Sequence, residues 1–285
     1  MSTTAHHAAR TPGRGSDIAR QVAVISAVVF MIIAAMVGTG LLGGTNVRDV
    51  QGGALDADST VLAPGSQAFS IWSVIYLFMI GYAIWQALPS QRARDRQRMA
   101  GWWIALTAVL NGGWLLAAQF TTLIVTVIAI VALLAALAWT FRLLVRSRPQ
   151  SIGDRLLMDA TVGLHLGWVS LATVANITAW LSRTVPESWG AQADIWGVVV
   201  LVLVAAVGVG IAAFSRGRPS PIIALSWGLA WVAIARSSDQ PQSTPVAVAA
   251  VVVIVVVVAA AIVSAWRANG REHRGILHRS RTRTA

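Results

Sequence analysis

The chain has 285 residues, 56% of them apolar and only 12% charged, against about 25% charged in an ordinary soluble domain. That much apolar surface cannot be hidden in one water-soluble core, which leaves an integral membrane protein as the class. The net charge of +11 is carried by arginine alone, in short segments between apolar runs and not on one face of a soluble domain, so nucleic acid is excluded as a partner.

Residues 1–20 are polar, with Arg10, Arg14 and Arg20, and read as a disordered cytoplasmic tail. His6 and His7 lie in it, and two adjacent histidines without a third ligand make a poor metal site. With no cysteine, disulfides and thiolate sites are excluded as well. Helix one runs from Gln21 to Leu42, too long for a signal-peptide core of about 7–15 residues. Gly40 and Gly44 form a Gly-x-x-x-Gly packing signal at its far end. The loop Gly43–Ala63 is acidic and glycine-rich, is placed outside, and is expected to fold over the mouth of the bundle.

Helix two, Pro64 to Leu88, carries no charge from Ser66 onward and is long enough to cross about 30 Å of hydrocarbon. Phe69, Trp72 and Tyr76 recur at three- and four-residue spacing and share one helical face. That stripe is either a packed helix seam or the wall of a ligand site. Arg92, Arg94, Arg96 and Arg98 then mark an inner loop. Helix three, Gly101–Ala118, carries Asn111 and Trp114. The very short turn Gln119–Thr121 makes it an antiparallel neighbour of helix four, Thr122–Val145, which reads as a supporting span. After an inner loop with Arg142, Arg146, Arg148 and Arg155 comes helix five, Leu156–Leu181. It is the most polar span, with Asp159, His165, Asn176 and a second Gly-x-x-x-Gly at Gly163 and Gly167. Helix six (Asp194–Phe214), helix seven (Pro221–Ala235, with Trp227 and Trp231) and helix eight (Val246–Trp266, read as lipid-facing) complete the set. Nineteen of the 22 arginines fall on one side if both termini are cytoplasmic, with Arg48, Arg183 and Arg236 outside.

Polar groups at membrane depth are expensive and default to functional hypotheses. Asn111 and Asn176 are either interhelical hydrogen-bonding groups or site residues. His165 is a structural residue, a pocket-lining residue or an axial ligand to a haem iron. Asp159 reads as an interfacial residue facing Arg155 rather than a proton relay. No phosphate loop, zinc-protease helix or nucleophile elbow is present, and no internal repeat of the transporter kind.

Three stretches together resemble the tryptophan-rich sensory protein family, also called the TspO/MBR or translocator protein family. They are Pro64, Phe69, Trp72 and Tyr76 with Met79, Gly81 and Trp85 on helix two; Asn111 with Trp114 on helix three; and His165, Trp168, Ala172 and Asn176 on helix five. The chain departs from the family pattern in Leu62-Ala63-Pro64-Gly65 where Trp-x-Pro-Pro is usual. It departs also in the three-residue step from Phe69 to Trp72, in Ala117 and Ala118, and in His165 where the family has tyrosine. The sterol-recognition pattern is missing around Tyr76 and Tyr82. The resemblance covers Gln21–Leu181 and implies a five-helix bundle holding a tetrapyrrole (porphyrin or haem) or a lipid. The site it implies is Phe69, Trp72, Tyr76, Asn111, Trp114, His165, Trp168, Ala172 and Asn176.

The resulting expectation is an all-α polytopic membrane bundle of eight transmembrane helices with cytoplasmic termini. It divides into a tail (1–20), a TspO-like five-helix bundle (21–181), three additional spans (182–266) and a basic cytoplasmic tail (267–285). The expected role is a binding or sensory protein of the inner membrane, not an enzyme, that holds a small apolar ligand beside membrane lipid. A small-solute transporter, with helices six to eight as a gate, is the alternative. A porphyrin-degrading enzyme is a further one, and a homodimer stays open.

Overall fold

The computed structural model describes residues 14–281, so the expectations placed on His6, His7, Arg10 and Arg283 lie outside the described residues. Among the described residues eight helices are long and apolar enough to cross a bilayer. They are α1 (Arg14–Gly38), α2 (Ile71–Ala87, led in by the 3-10 turn Ser66–Ser70), α3 (Asp95–Phe120) and α4 (Leu123–Arg146). Then follow α5 (Thr161–Leu181, preceded by a π-helical stretch Asp154–Ala160), α6 (Ala193–Phe214), α7 (Pro219–Ser238) and α8 (Thr244–Arg281). The fold is an all-α polytopic bundle, as composition and run length require.

Helix α3 packs along α1 and α4, to which it is joined only by Thr121 and Thr122; α5 packs along α4 and α7, and α8 along α6 and α7. Two apolar clusters result. One joins Met31, Ile75, Met79, Ile104, Leu137 and Trp168 across the first five helices. The other joins Leu171 to Leu201, Leu225, Leu229, Val253 and Val257 in the last three. Helix α5 contributes to both and is the wall between them. Its glycines make that possible: a Cβ on Gly163 would collide with Ser220 Oγ and one on Gly167 with the Pro221 carbonyl, so α7 sits directly on the α5 backbone. The other sequence signal of this kind fails. Helix α1 stops at Gly38, and Gly40 at φ 82° belongs to the turn that follows, where only glycine is unstrained. Helix α8 buries Val246, Ala250, Val253, Val257 and Ala261 along one stripe and exposes Val248, Val252, Val255 and Ile262, so it faces lipid on one side only.

The arginine-rich face is held by buried polar groups. Helix α1 begins at Arg14 and not at Gln21, because Asp17 is already locked in place. Its carboxylate accepts from Arg98 at 2.6 and 2.9 Å and from Arg20 at 3.1 Å. Arg20 also donates to the Arg92 carbonyl at 2.8 Å, and Gln21 to the Gln86 carbonyl at 2.7 Å. Tyr82 on α2 donates to Gln97 Oε1 on α3 at 2.9 Å. Asp159 does not face Arg155. It pairs with Arg96 at 2.6 Å and with Arg218 of the α6–α7 turn at 3.3 Å, which ties the first helices to the last three. Burial pulls the Arg218 guanidinium below the usual arginine range, and the facing Asp159 carboxylate opposes the shift.

At the opposite face the segment between α1 and α2 is fastened across the bundle mouth. Arg236, only 1% exposed, donates to the carbonyls of Ala57 (2.7 Å), Thr60 (2.9 Å) and Pro241 (3.0 Å). Arg183 donates to Gln51 and Gly52, both at 2.7 Å. Trp227 Nε1 donates to the Ala68 carbonyl at 3.0 Å, and the Gly65 amide to the Trp231 carbonyl at 3.2 Å.

Candidate functional site

Below that fastened segment, α2, α3 and α5 turn their aromatic residues toward one point, and Trp72 stands at its centre. Along α2 its ring stacks on Tyr76 at 5.3 Å and 25°. Across to α3 it stacks on Trp114 at 6.4 Å and 24°. From α5, His165 and Trp168 meet it edge-on at 5.7 and 6.0 Å. Offset-stacked and T-shaped rings at these separations are attractive beyond the area they bury. Phe69 lies edge-on to Trp168 at 5.8 Å. Its three-residue step to Trp72 follows from the 3-10 turn Ser66–Ser70, in which positions three apart eclipse.

The polar residues orient these rings. Tyr76 OH donates to Asn111 Oδ1 at 3.5 Å, and Asn111 Nδ2 lies 3.4 Å from His165 Nε2. The amide donates there, so the imidazole proton sits on Nδ1. Trp114 Nε1 donates to Asn176 Oδ1 at 3.2 Å, and Asn176 Nδ2 to the Ala172 carbonyl at 2.8 Å. His165 is 1% exposed, and the Nε2 that an iron would need is already occupied. Among the described residues no three His, Asp or Glu side chains gather as a metal-ligand set. One donor is left over: Trp168 Nε1 is buried without a hydrogen-bond partner, an arrangement that costs roughly 1–3 kcal/mol unless something accepts from it.

All nine residues singled out in the sequence meet in this cluster. The space among them is small, because the rings fill most of it themselves. A small pocket of about 30 Å³, about one water's worth, lies among Phe69, Trp72, Trp114, Trp168, Ala172 and Asn176, roofed by Val47, Ala54 and Leu55. A cleft of about 370 Å³ adjoins it between α1 and α2, with Phe69, Trp72, Tyr76 and Trp114 on one side and Ile32, Ala35 and Met36 on the other. Phe69, Trp72, Trp114 and Val47 line both spaces, so those side chains are the partition between them. Four-ring macrocycles outsize the small pocket, and the cleft alone is at the lower end of small-molecule sites, about 300–1,000 Å³.

Sequence reasoning expected the Gly43–Ala63 loop over the mouth of the bundle but did not single out the residues that form the roof, and it missed the back wall. Val47 and Leu55 are single apolar residues in a polar loop and carry no periodicity. Gly228 of α7 lies against Leu171 and Trp168, where a Cβ would sit 3.4 Å from Trp168 Cζ3. Only Trp227 and Trp231, one turn apart on the same helix, hinted that α7 borders the site.

No curated protein and no solved structure matches the chain. A family match does exist, to the family described as TSPO-like protein, over residues 20–263. It takes in every residue placed around Trp72 and continues through α6 and α7 into α8, and over that length the chain belongs to the TSPO-like protein family.

Proposed function

We propose that this protein binds an apolar, ring-bearing ligand, a tetrapyrrole or a comparable lipid, against Trp72, in the cell membrane with both termini in the cytoplasm. One observation carries the reading. Trp72 is gripped by four other rings yet still forms part of the partition between a small pocket and a larger cleft. A flat ligand in the cleft stacks on aromatic faces that are already oriented, and lifting Val47, which lines both, merges the two spaces. The free Trp168 N–H is available to an acceptor on the ligand. Placing the termini in the cytoplasm rests on the arginine distribution. The role is binding rather than catalysis, since the polar groups at the site, Asn111, His165 and Asn176, are spent on one another and on ring nitrogens. The transporter alternative gains no support, because α7 is fastened to the roof segment by Arg236 and to the α2 lead-in by Trp227 rather than standing apart as a gate.

The test is titration of protoporphyrin into purified protein, followed by quenching of tryptophan fluorescence. Trp72→Phe combined with Trp168→Phe weakens the midpoint roughly tenfold, since each aromatic contact contributes about 0.5–1.5 kcal/mol beyond its area. Trp103→Phe, which shrinks a ring paired with Trp139 and not with the Trp72 cluster, leaves the midpoint unchanged. Equal midpoints for wild type and the double variant would overturn the reading.

A further inference from the structure

A second space lies away from Trp72 and is larger than either pocket there. Helices α4 and α6 stand apart, and α5 floors a groove of about 640 Å³ between them. Phe141 on α4 and Val207 and Phe214 on α6 form its sides. Its floor carries three hydroxyls, and each donates to its own helix: Ser170 to Leu166 (2.8 Å), Thr173 to Val169 (2.7 Å) and Thr178 to Val174 (2.8 Å). No hydroxyl proton is therefore left for a guest, and hydrocarbon fills the groove without stranding a donor. From Val200 to Phe214 the α6 wall runs about 21 Å at 1.5 Å per residue. One leaflet of a bilayer offers roughly 15 Å, half of a 30 Å core, so a lipid chain lies along the groove at full extension.

Charge picks one end. Phe141 and Phe214 lead to the arginine-rich face, where Arg218 donates to the Leu144 carbonyl of α4 at 3.0 Å and thereby spans the groove's end. Among the described residues Arg94, Arg96 and Arg218 pair with Asp154 and Asp159, three cations against two anions. Arg216 stands exposed beside them. We propose that this groove is a binding site for an anionic glycerophospholipid, its acyl chain lying between α4 and α6 and its phosphate at Arg216 and Arg218. The site is independent of the Trp72 cluster.

The experiment purifies the full chain from native membranes in mild detergent and quantifies retained phospholipid by mass spectrometry, anionic against zwitterionic headgroups. A Cβ on Gly210, which lines the groove, meets nothing within 4 Å, so Gly210→Phe places its ring in open space. That variant loses the retained anionic lipid while its melting temperature and its protoporphyrin titration stay as in wild type. Arg216→Gln, on an exposed side chain, lowers anionic retention about fivefold, the effect of one surface arginine at a membrane. Leu77→Phe on the exposed side of α2 changes neither. Undiminished anionic retention in Gly210→Phe overturns the proposal, as does retention of both headgroup classes in their membrane proportions. Should Gly210→Phe fail to fold, Arg216→Gln and Val207→Phe decide the question by the same readout.

Discussion

Arg236 is the most informative residue to perturb, because it links a helix outside the aromatic cluster to the roof over it. Arg236→Met keeps much of the side-chain volume and removes three charge-assisted hydrogen bonds to the carbonyls of Ala57, Thr60 and Pro241. Bonds of that kind are worth roughly 1.5–3 kcal/mol each. They do not add in full, since the carbonyls lie near the membrane surface and rehydrate on release, and since the guanidinium no longer has to be desolvated. A net local loss of about 2–3 kcal/mol is what remains, and it falls on the segment from Ala57 to Gly65. Hydrogen exchange followed by mass spectrometry in detergent reads it directly. Amides of Ala63, Gly65 and Ala68, which now donate to Thr60, Trp231 and Gly65, exchange roughly 30- to 140-fold faster, the factor corresponding to that free energy. Amides in the middle of α4 do not change. Arg183→Ala, which frees only the exposed carbonyls of Gln51 and Gly52, gives a smaller acceleration confined to those residues. If Arg236→Met lowers the melting temperature while exchange around Gly65 is no faster than elsewhere, Arg236 is a general stabiliser and the roof is not its load.

Two further perturbations separate packing from charge. Gly163→Val drives a side chain into Ser220 and costs about 1–3 kcal/mol as overpacking; the melting temperature falls, and an unchanged one would show that α7 yields more easily than its contact with α5 suggests. Arg96→Met leaves Asp159 to Arg218 and Asp154 to Arg94, and the loss of its charge-assisted hydrogen bond to Asp159 costs about 1.5–3 kcal/mol. Adding Asp159→Asn to it recovers part of that loss, whereas simple additivity of the two changes in a double-mutant cycle would mean the pair is not coupled.

Membrane insertion, helix number and the identity of the aromatic cluster were legible because each rests on a local pattern. Apolar run length gives the spans, and Phe69, Trp72 and Tyr76 share a face at any reasonable helix boundary. What was not legible depends on partners distant in the chain. Asp17 and Arg20 look like tail residues until Arg98 and the Arg92 carbonyl are brought to them, and that contact moves the start of α1 back to Arg14. Asp159 has Arg155 one turn away in sequence, but a carboxylate with only 7% exposure takes the two cations aimed at it, Arg96 and Arg218. The second Gly-x-x-x-Gly was visible as a packing signal, yet nothing in its spacing says that Ser220 and Pro221 are what it receives. The fullness of the aromatic site was invisible for a related reason: the same rings either enclose a hollow or fill it, depending on side-chain rotamers that a sequence does not specify.

The last three spans bear on function more than a five-helix reading allows. Trp168 has Trp72 and Phe69 on one side, and α7 approaches it at Gly228, where an added Cβ would sit 3.4 Å from the indole and would collide with Leu171, the next turn of α5. The same helix holds the α2 lead-in through Trp227, the Gly65 amide through the Trp231 carbonyl, and the roof through Arg236. One rigid element thus fixes the back wall, the start of the aromatic stripe and the cover. Displacement of α7 relative to α5 would move all three together, whereas α8 packs chiefly on α6 and α7. The family match running on to residue 263 fits that physical dependence: the aromatic cluster is built by α2, α3 and α5 but kept in register by a helix that a five-span bundle does not have.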